Sequence, residues 1–272
     1  MRIINRRPGP RTGQILASIP FLALALAYLT ASAVRLAANP QDRLLPGLGQ
    51  MAAAVKRMAF TPDIASGSYL MLNDTATSLR RLLLGLAIAV AISFVTGIAV
   101  GMIPYLRRLF VPAIAAFSMV PPLAILPILF IIVGIDETAK VALIVIGTAP
   151  FMIRDLILRV EELPRPELIK AQTLGASSWQ IALRVVVPQM LPRLIDALRL
   201  SLGPAWLYLI SAEAIAAQDG LGYRIFLVRR YFAMDVILPY VAWITLLAFA
   251  FDALLRLAQR TAFPWFAQGR AE

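Results

Sequence analysis

Long apolar runs follow one another along the chain and are interrupted once by an extended polar stretch. The runs are Ile15 to Val34, Leu82 to Met102, Leu109 to Val133, Val141 to Ile153 with an extension toward Leu158, Leu200 to Ala217 and Val236 to Leu255. About 20 apolar residues in a helix cross a hydrocarbon core roughly 30 Å thick. The pattern therefore predicts an all-α integral membrane protein with about six transmembrane helices. Between the fourth and fifth runs lies Glu161 to Pro188, reading EELPRPELIKAQTLGASSWQIALRVVVP, the one long segment that must sit in water.

That stretch predicts two short helices. Pro164 and Pro166 suit a first helical turn, and Gly175 suits a helix stop or tight turn. Ala176-Ser177-Ser178 then offers an N-cap before Trp179 to Val187. Leu168, Ala171 and Leu174 recur at a spacing of three, leaving Glu167, Lys170 and Gln172 on other faces. Two readings fit this pattern: an amphipathic loop on the membrane surface, or a docking element for a soluble partner.

The first run follows Arg2, Arg6, Arg7 and Arg11. It reads as a first transmembrane helix, with a cleaved signal peptide ending near Ala31-Ser32-Ala33, or a twin-arginine signal at Arg6-Arg7, as the competing readings. Its length, above that of a signal's apolar core, favours the span. From Arg35 to Thr77 the composition is mixed and predicts an external connection with one amphipathic helix near Leu48 to Phe60. The chain thus divides into an N-terminal part, residues 1–78, and a core, residues 79–272. Gly97 and Gly101 form a small-xxx-small pair, which allows close helix approach within one chain or between copies. Pro112, Pro121, Pro122 and Pro127 interrupt the third run; adjacent prolines remove backbone hydrogen bonds, so a kink or unwound turn is expected there. In lipid the freed carbonyls need protein or water partners. Ser118 to Leu123 is therefore a candidate pathway lining, with a kink used only for packing as the alternative. Thr148 lies in the fourth run beside Gly147 and Pro150.

Composition sharpens the class. Sixty per cent of the 272 residues are hydrophobic and 15% charged, far from a soluble domain of this length. The net charge of +11 does not form a basic stripe with interleaved aromatics, so nucleic acid is not expected as a partner. With the N-terminus inside, 16 of the 26 Lys and Arg fall on the inner side, which predicts cytoplasmic N- and C-termini and a cytoplasmic 161–188 loop. Arg80, Arg81, Arg229 and Arg230 fall on the outer side; the favoured expectation is that they snorkel to headgroups, the alternatives being an acidic partner or an anionic substrate. The chain has no Cys and no His, which removes disulfides, thiolate chemistry, the commonest general base and the commonest metal ligand. No G-x-x-x-x-G-K-[ST] occurs, so the chain does not cradle nucleotide phosphates in that way.

Gly175-Ala-Ser-Ser-Trp-Gln-Ile followed by Val185-Val-Val-Pro188 resembles the cytoplasmic EAA loop of ABC importer permeases, whose pattern is Glu-Ala-Ala, three residues, Gly, nine residues, Ile-x-Leu-Pro. The Gly-to-Pro spacing matches; Ile169-Lys170-Ala171 stands where Glu-Ala-Ala is usual. Pro121-Pro-Leu-Ala-Ile-Leu-Pro127, Gly134-Ile-Asp-Glu-Thr-Ala-Lys140, and Ala212-Glu213 with Gly220-Leu-Gly-Tyr223 are similar to the nitrate, sulfonate, taurine and bicarbonate branch, so that the resemblance runs from about Leu79 to the C-terminus. It implies a type I importer permease in a bacterial inner membrane, paired as a homodimer, with a cytoplasmic ABC ATPase dimer below and an extracytoplasmic solute-binding protein delivering a small solute, expected to be an anion. No cofactor is expected on this chain; ATP and Mg would sit on the partner ATPase.

On this reading Leu174, Gly175, Ala176, Ser177, Trp179 and Pro188 couple to the ATPase. Ser118, Met119, Pro121, Pro122, Thr148 and Glu213 are the pathway candidates. Glu213 stands out because an acid within a span is costly and often functional; the plainer expectation is that it pairs with an outer arginine such as Arg224. Asp196 and Arg199, three apart, are expected to form a local helix pair. The alternative function is an ion-gradient-driven secondary transporter, which predicts intramembrane acids and an internal repeat. The two halves show no such repeat.

Overall fold

The computed structural model describes residues 9–40, 42–64 and 67–268, and among these there is no strand. Arg2, Arg6 and Arg7 lie outside the described residues. The helices are α1 (Pro10–Ala38), α2 (Leu48–Phe60), α3 (Leu70–Met102), α4 (Pro104–Met119), α5 (Pro122–Val133), α6 (Glu137–Glu161), α7 (Arg165–Thr173), α8 (Ser178–Ile181), a π-helical turn (Ala182–Val186), α9 (Val187–Ala216), α10 (Leu221–Arg229), α11 (Met234–Ala262) and α12 (Pro264–Gln268). Four helices are individually long and apolar enough to cross a bilayer: Arg11–Ala38, α3, α6 and α11. Two bent pairs, α4 with α5 and Ser178–Ala216 with α10, bring the number to six if each pair is one span.

The chain forms two compact units. One consists of the chain up to Tyr69 together with Val228–Val241, the other of Leu70–Leu227 and the chain from Ala242. In the first, the Tyr28 hydroxyl donates to the Pro46 carbonyl (2.7 Å) and Ser32 to Leu45 (3.0 Å), tying α1 to the segment before α2. Ala31-Ser32-Ala33 therefore lies within a continuous helix. Arg35 pairs with Asp42, and this hydrogen bond, with the Leu44 amide, holds the Asp42 carboxyl below its usual range.

The second unit is built on α3, α6 and α9. Gly85, Gly97 and Gly101 on α3 face Ile144, Leu156 and Val160 on α6, and a methyl group added at any of the three would lie 2.8 Å from its neighbour. The small-xxx-small pair is thus used inside the chain, where it brings two backbones close. The expected connection to Thr77 ends at Tyr69 instead, and residue 78 falls within α3. Hydropathy misses the first turns of α3 because their polar side chains are buried and paired. Asp74 accepts from Arg224 (2.8 Å), Thr75 from Trp243 (3.0 Å), and Ser78 donates to Glu213 (2.7 Å). The fifth span is longer than expected as well: Pro188 and Pro192 do not separate it from the polar stretch but lie in α9.

The proline effect is concentrated at one place. Pro112 and Pro127 are accommodated inside α4 and α5, whereas at Val120 and Pro121 the chain leaves the helix and turns by 94°. Two adjacent residues without N–H groups cannot continue the ladder, and the Val120 amide bonds the Phe117 carbonyl (3.2 Å) to close α4.

Candidate functional site

The core helices run between two chemically different ends. At one end Arg81 (α3), Glu137 (α6) and Glu213 (α9) meet; at the other, the last turns of α3 and α6 meet the start of α9 and the polar stretch.

At the second end, α7 stops by a fully bonded Schellman closure. The Ala176 amide donates to the Ala171 carbonyl (3.0 Å) and the Gly175 amide to Gln172 (2.9 Å), with Gly175 at φ 79°. That left-handed conformation suits glycine. Ser177 then caps α8 in a reciprocal box: its hydroxyl accepts from the Gln180 amide (3.3 Å), and the Gln180 side chain accepts from the Ser177 amide (2.8 Å). Leu168, Ala171, Ala176 and Ile181 pack on a core formed by Ile98, Val160, Leu163, Val186 and Met190. Leu174 does not join that stripe. It is 88% exposed, and Trp179 is 71% exposed, with Ile169 and Leu183 also open. A helix-turn-helix is therefore anchored to the membrane helices on one side while two large apolar side chains flank Gly175 on the other. Leaving such groups in water is unfavourable by roughly 2 kcal/mol each, so the arrangement suits a covering partner.

After α8 the chain makes a π-helical turn, in which the Val187 amide reaches back to the Ala182 carbonyl five residues earlier. Pro188 explains it. Proline has no N–H to bond Arg184, and its ring would collide with that carbonyl in a regular α-helix.

The opposite end is an ion cluster. Arg81 is 2% exposed; it donates through Nη1 to Glu213 (2.9 Å) and to the Asp219 carbonyl (3.0 Å), through Nη2 to Asp219 (2.6 Å) and Glu137 (2.6 Å), and through Nε to Glu137 (2.6 Å). Glu213 is completely buried and also accepts from Ser78 and from the Gly222 amide (2.8 Å). Glu213 pairs with an outer arginine as expected, though with Arg81 and not with Arg224, because the last turn of α9 faces α3 while Arg224 on α10 turns to Asp74. One expectation is corrected: Arg81 does not snorkel but meets acidic partners, whereas Arg80, 3.8 Å from Glu137, and Arg229 and Arg230 are exposed.

The pathway candidates fall in three places. Ser118, Met119, Pro121 and Pro122 gather at the α4–α5 bend. Ser118 is buried and Met119 is 77% exposed. Thr148 lies on α6, its hydroxyl donating to Ile144 (2.7 Å), in a cleft of about 270 Å³ between α6 and α9 whose lining includes Phe151, Asp155, Ser201 and Tyr208. Glu213 stands apart at the far end of α9 with no surface to offer a passing solute. Asp196 and Arg199 do form their local pair (3.3 Å), and Arg199 reaches on to Asp252 of α11 (2.8 Å).

Residues 89–266 match the family described as binding-protein-dependent transport system inner membrane component. The chain belongs to that family. This permease is 37% identical over 190 residues to the taurine transport system permease protein TauC of Escherichia coli K12, covering 70% of this chain and 69% of that one. It is 30% identical over 159 residues to the putative aliphatic sulfonates transport permease protein SsuC of the same organism, covering 58% and 60%. Among solved structures, a bacterial alginate ABC transporter in complex with an alginate pentasaccharide-bound periplasmic protein shares the fold, with a TM-score of 0.54, 14% identity and coverage of 92% and 97%. The permease is accordingly the multi-pass transmembrane subunit of an ABC importer, a family whose members are the membrane components and not the ATPases.

Two features of the permease escaped the sequence reading. Arg81 was visible only as one of a basic pair, because its partners lie 56, 132 and 138 positions away. Arg154 carries a signal in the sequence, a lone cation following an apolar run, and donates to Ser118 (2.9 Å).

Proposed function

We propose that this permease, paired with a second copy of itself, forms the path of an ATP-driven importer for a small organic or inorganic oxyanion of the sulfonate type. An extracytoplasmic solute-binding protein delivers the solute, and a dimeric cytoplasmic ATPase supplies the energy. Both termini lie in the cytoplasm, and the permease itself carries no cofactor, ATP and Mg being held by the ATPase. The observation that carries this reading is the pair of exposed apolar side chains, Leu174 and Trp179, on either side of the left-handed Gly175. Leu174 and Trp179 enter a groove of the ATPase. Gly175 and Ala176 set the turn, Ser177 holds the start of the second helix, and Pro188 joins it through the π turn to α9. Closure of two ATPase subunits around ATP moves these helices together with the spans on which Leu168 and Ile181 are packed.

The solute class follows the named relatives, the taurine and aliphatic-sulfonate permeases. Ser118, Met119, Pro121 and Pro122 at the bend, with Thr148 in the α6–α9 cleft, line the path, while Glu213 serves it by fixing the outer ends of α3, α6 and α9.

The test is reconstitution of the permease with its ATPase and binding protein in proteoliposomes. ATP-dependent uptake of taurine or ethanesulfonate is expected, with hydrolysis stimulated by the loaded binding protein. Gly175→Asp puts a charged side chain at a left-handed position beside the groove, and is expected to assemble in the membrane yet lose stimulation. Unchanged stimulated hydrolysis in that variant would count against the coupling role.

A further inference from the structure

Arg154 is a cation inside a membrane-crossing helix that has no acidic partner among the described residues. On α6 it lies seven residues from Glu161, about 10 Å along the axis, and some 25 Å from Glu137. Toward the loop end, Arg159 pairs with Asp155 and Glu162, Arg107 with Glu161 (2.6 Å) and Arg193 with Glu162 (3.2 Å). Arg154 instead makes one hydrogen bond, to the buried Ser118 hydroxyl, which in turn donates to the Ala115 carbonyl (2.9 Å). A guanidinium has five N–H donors in a planar fork, so four remain. The residue is exposed. An unpaired charge on a lipid-facing surface at this depth is expensive, and ionisable residues in spans usually face a bundle interior or a water-filled path.

The surroundings point the same way. Ser118 stands one residue before the exposed Met119 and the 94° bend, where α5 begins at Pro122 with its positive dipole end at the break. On the other flank, Phe151 and Asp155, one turn before and one residue after Arg154, line the cleft shared with Ser201 and Tyr208 of α9. The guanidinium thus lies at the bend, its orientation set by Ser118 and most of its donors unused, on a helix whose adjacent residues line the cleft. A planar fork of this kind matches sulfonate, carboxylate or phosphate oxygens in pairs.

We infer that Arg154, oriented by Ser118, is an oxyanion subsite in the transport path, the point at which an anionic solute exchanges water for a fixed cation as it passes the α4–α5 bend. This rests on the reading of the bend as part of the path.

The chain contains no Cys, so Met119→Cys creates a single labelling position beside the subsite. The assembled transporter in phosphatidylglycerol vesicles is treated with anionic sulfonatoethyl methanethiosulfonate or cationic trimethylammonioethyl methanethiosulfonate, and modification of the permease is followed by mass spectrometry. The anionic-to-cationic rate ratio is expected to be about tenfold higher with Arg154 present than in the Met119→Cys, Arg154→Gln protein. It should be retained in the Arg154→Lys version, which keeps the charge. Equal ratios in all three, or no modification by either reagent, overturn the inference. Modification in phosphate-free maltoside detergent but not in vesicles also overturns it, because a lipid headgroup then holds Arg154. A preserved ratio with no uptake of taurine or ethanesulfonate by the unmodified transporter overturns the proposed solute class and leaves the subsite standing.

Discussion

Arg81 on α3 and Glu213 on α9 meet at 2.9 Å, the arginine 2% exposed and the glutamate fully buried. The pair is the centre of a cluster in which Glu137 and Asp219 complete the coordination of Arg81, and Ser78 and the Gly222 amide complete that of Glu213. Removing one member of such a pair strands a buried charge, at a cost of about 3–5 kcal/mol, whereas replacing both by apolar groups removes the desolvation penalty as well. Arg81→Ala is therefore expected to lower the thermal unfolding temperature of the purified permease sharply, and the double change Arg81→Met, Glu213→Met to recover most of the loss. If the double variant is no more stable than the single, the pair is not what holds these ends together.

The same cluster fixes the backbone that follows α9. Gly220 has φ 110°, and a Cβ there would lie 2.6 Å from the Glu213 carboxylate and 2.8 Å from Arg81 Nη1. Gly220→Ala combines a strained conformation, about 1–3 kcal/mol, with a displaced ion pair. Gly203, inside α9 with nothing within 4 Å of the same position, is the control. Gly203→Ala is expected to be neutral or to stabilise by about 0.5–1 kcal/mol, as a helix-interior glycine replaced by alanine does. Unfolding curves of the two variants side by side distinguish local crowding from a general intolerance of change in this helix.

The contrast between these two ends explains what was legible in the sequence. Local signals are legible. Gly175, Ser177 and the prolines at 164 and 166 announce the helix pair, and a helix near Leu48 to Phe60 is found there. The adjacent prolines at 121 and 122 announce the bend. Long-range signals are not. Nothing near Ser78 or Asp74 indicates that a polar stretch forms the first turns of a membrane helix, since their partners are Glu213 and Arg224, more than 130 residues on. The apolar pattern could not show that the stripe Leu168, Ala171, Leu174 would split, its first two members facing the core and the third open. Spacing reports a shared helix face only while the helix continues, and Leu174 is the residue at which α7 ends.

The π turn between α8 and α9 carries a prediction of its own. Pro188 forbids the regular pattern at Arg184, and the Val187 amide therefore bonds Ala182. Pro188→Ala supplies an N–H and removes the steric conflict, so a continuous α-helix becomes the better conformation. Losing the extra residue of the π turn rotates α8 by about 100° relative to α9, turning Trp179 from its present exposed direction. Helix content by circular dichroism is expected to stay constant while solute transported per ATP hydrolysed falls. Unchanged transport per ATP would mean that the π turn has no part in transmission.

Close packing of α3 on α6 gives the last expectation. The hypothetical Cβ at Gly97 would lie 2.8 Å from the Cβ of Leu156, a fully buried residue whose backbone is fixed by its own helix. There is no flexible end to move aside, so Gly97→Val must push the helices apart, at a cost of about 1–3 kcal/mol. The separation would extend toward Gly101 and Val160, beneath the core that carries Leu168 and Ile181, and so toward the α7–α8 pair. Leu156→Ala alone opens a cavity and is expected to cost about 2–5 kcal/mol. Leu156→Ala keeps that Cβ but removes the Cδ1 that lies 3.2 Å from the same position, so the valine methyl groups enter space that it empties and the double variant should be more stable than the sum of the single losses predicts. Simple additivity in unfolding measurements would show that the helices adjust independently at this contact.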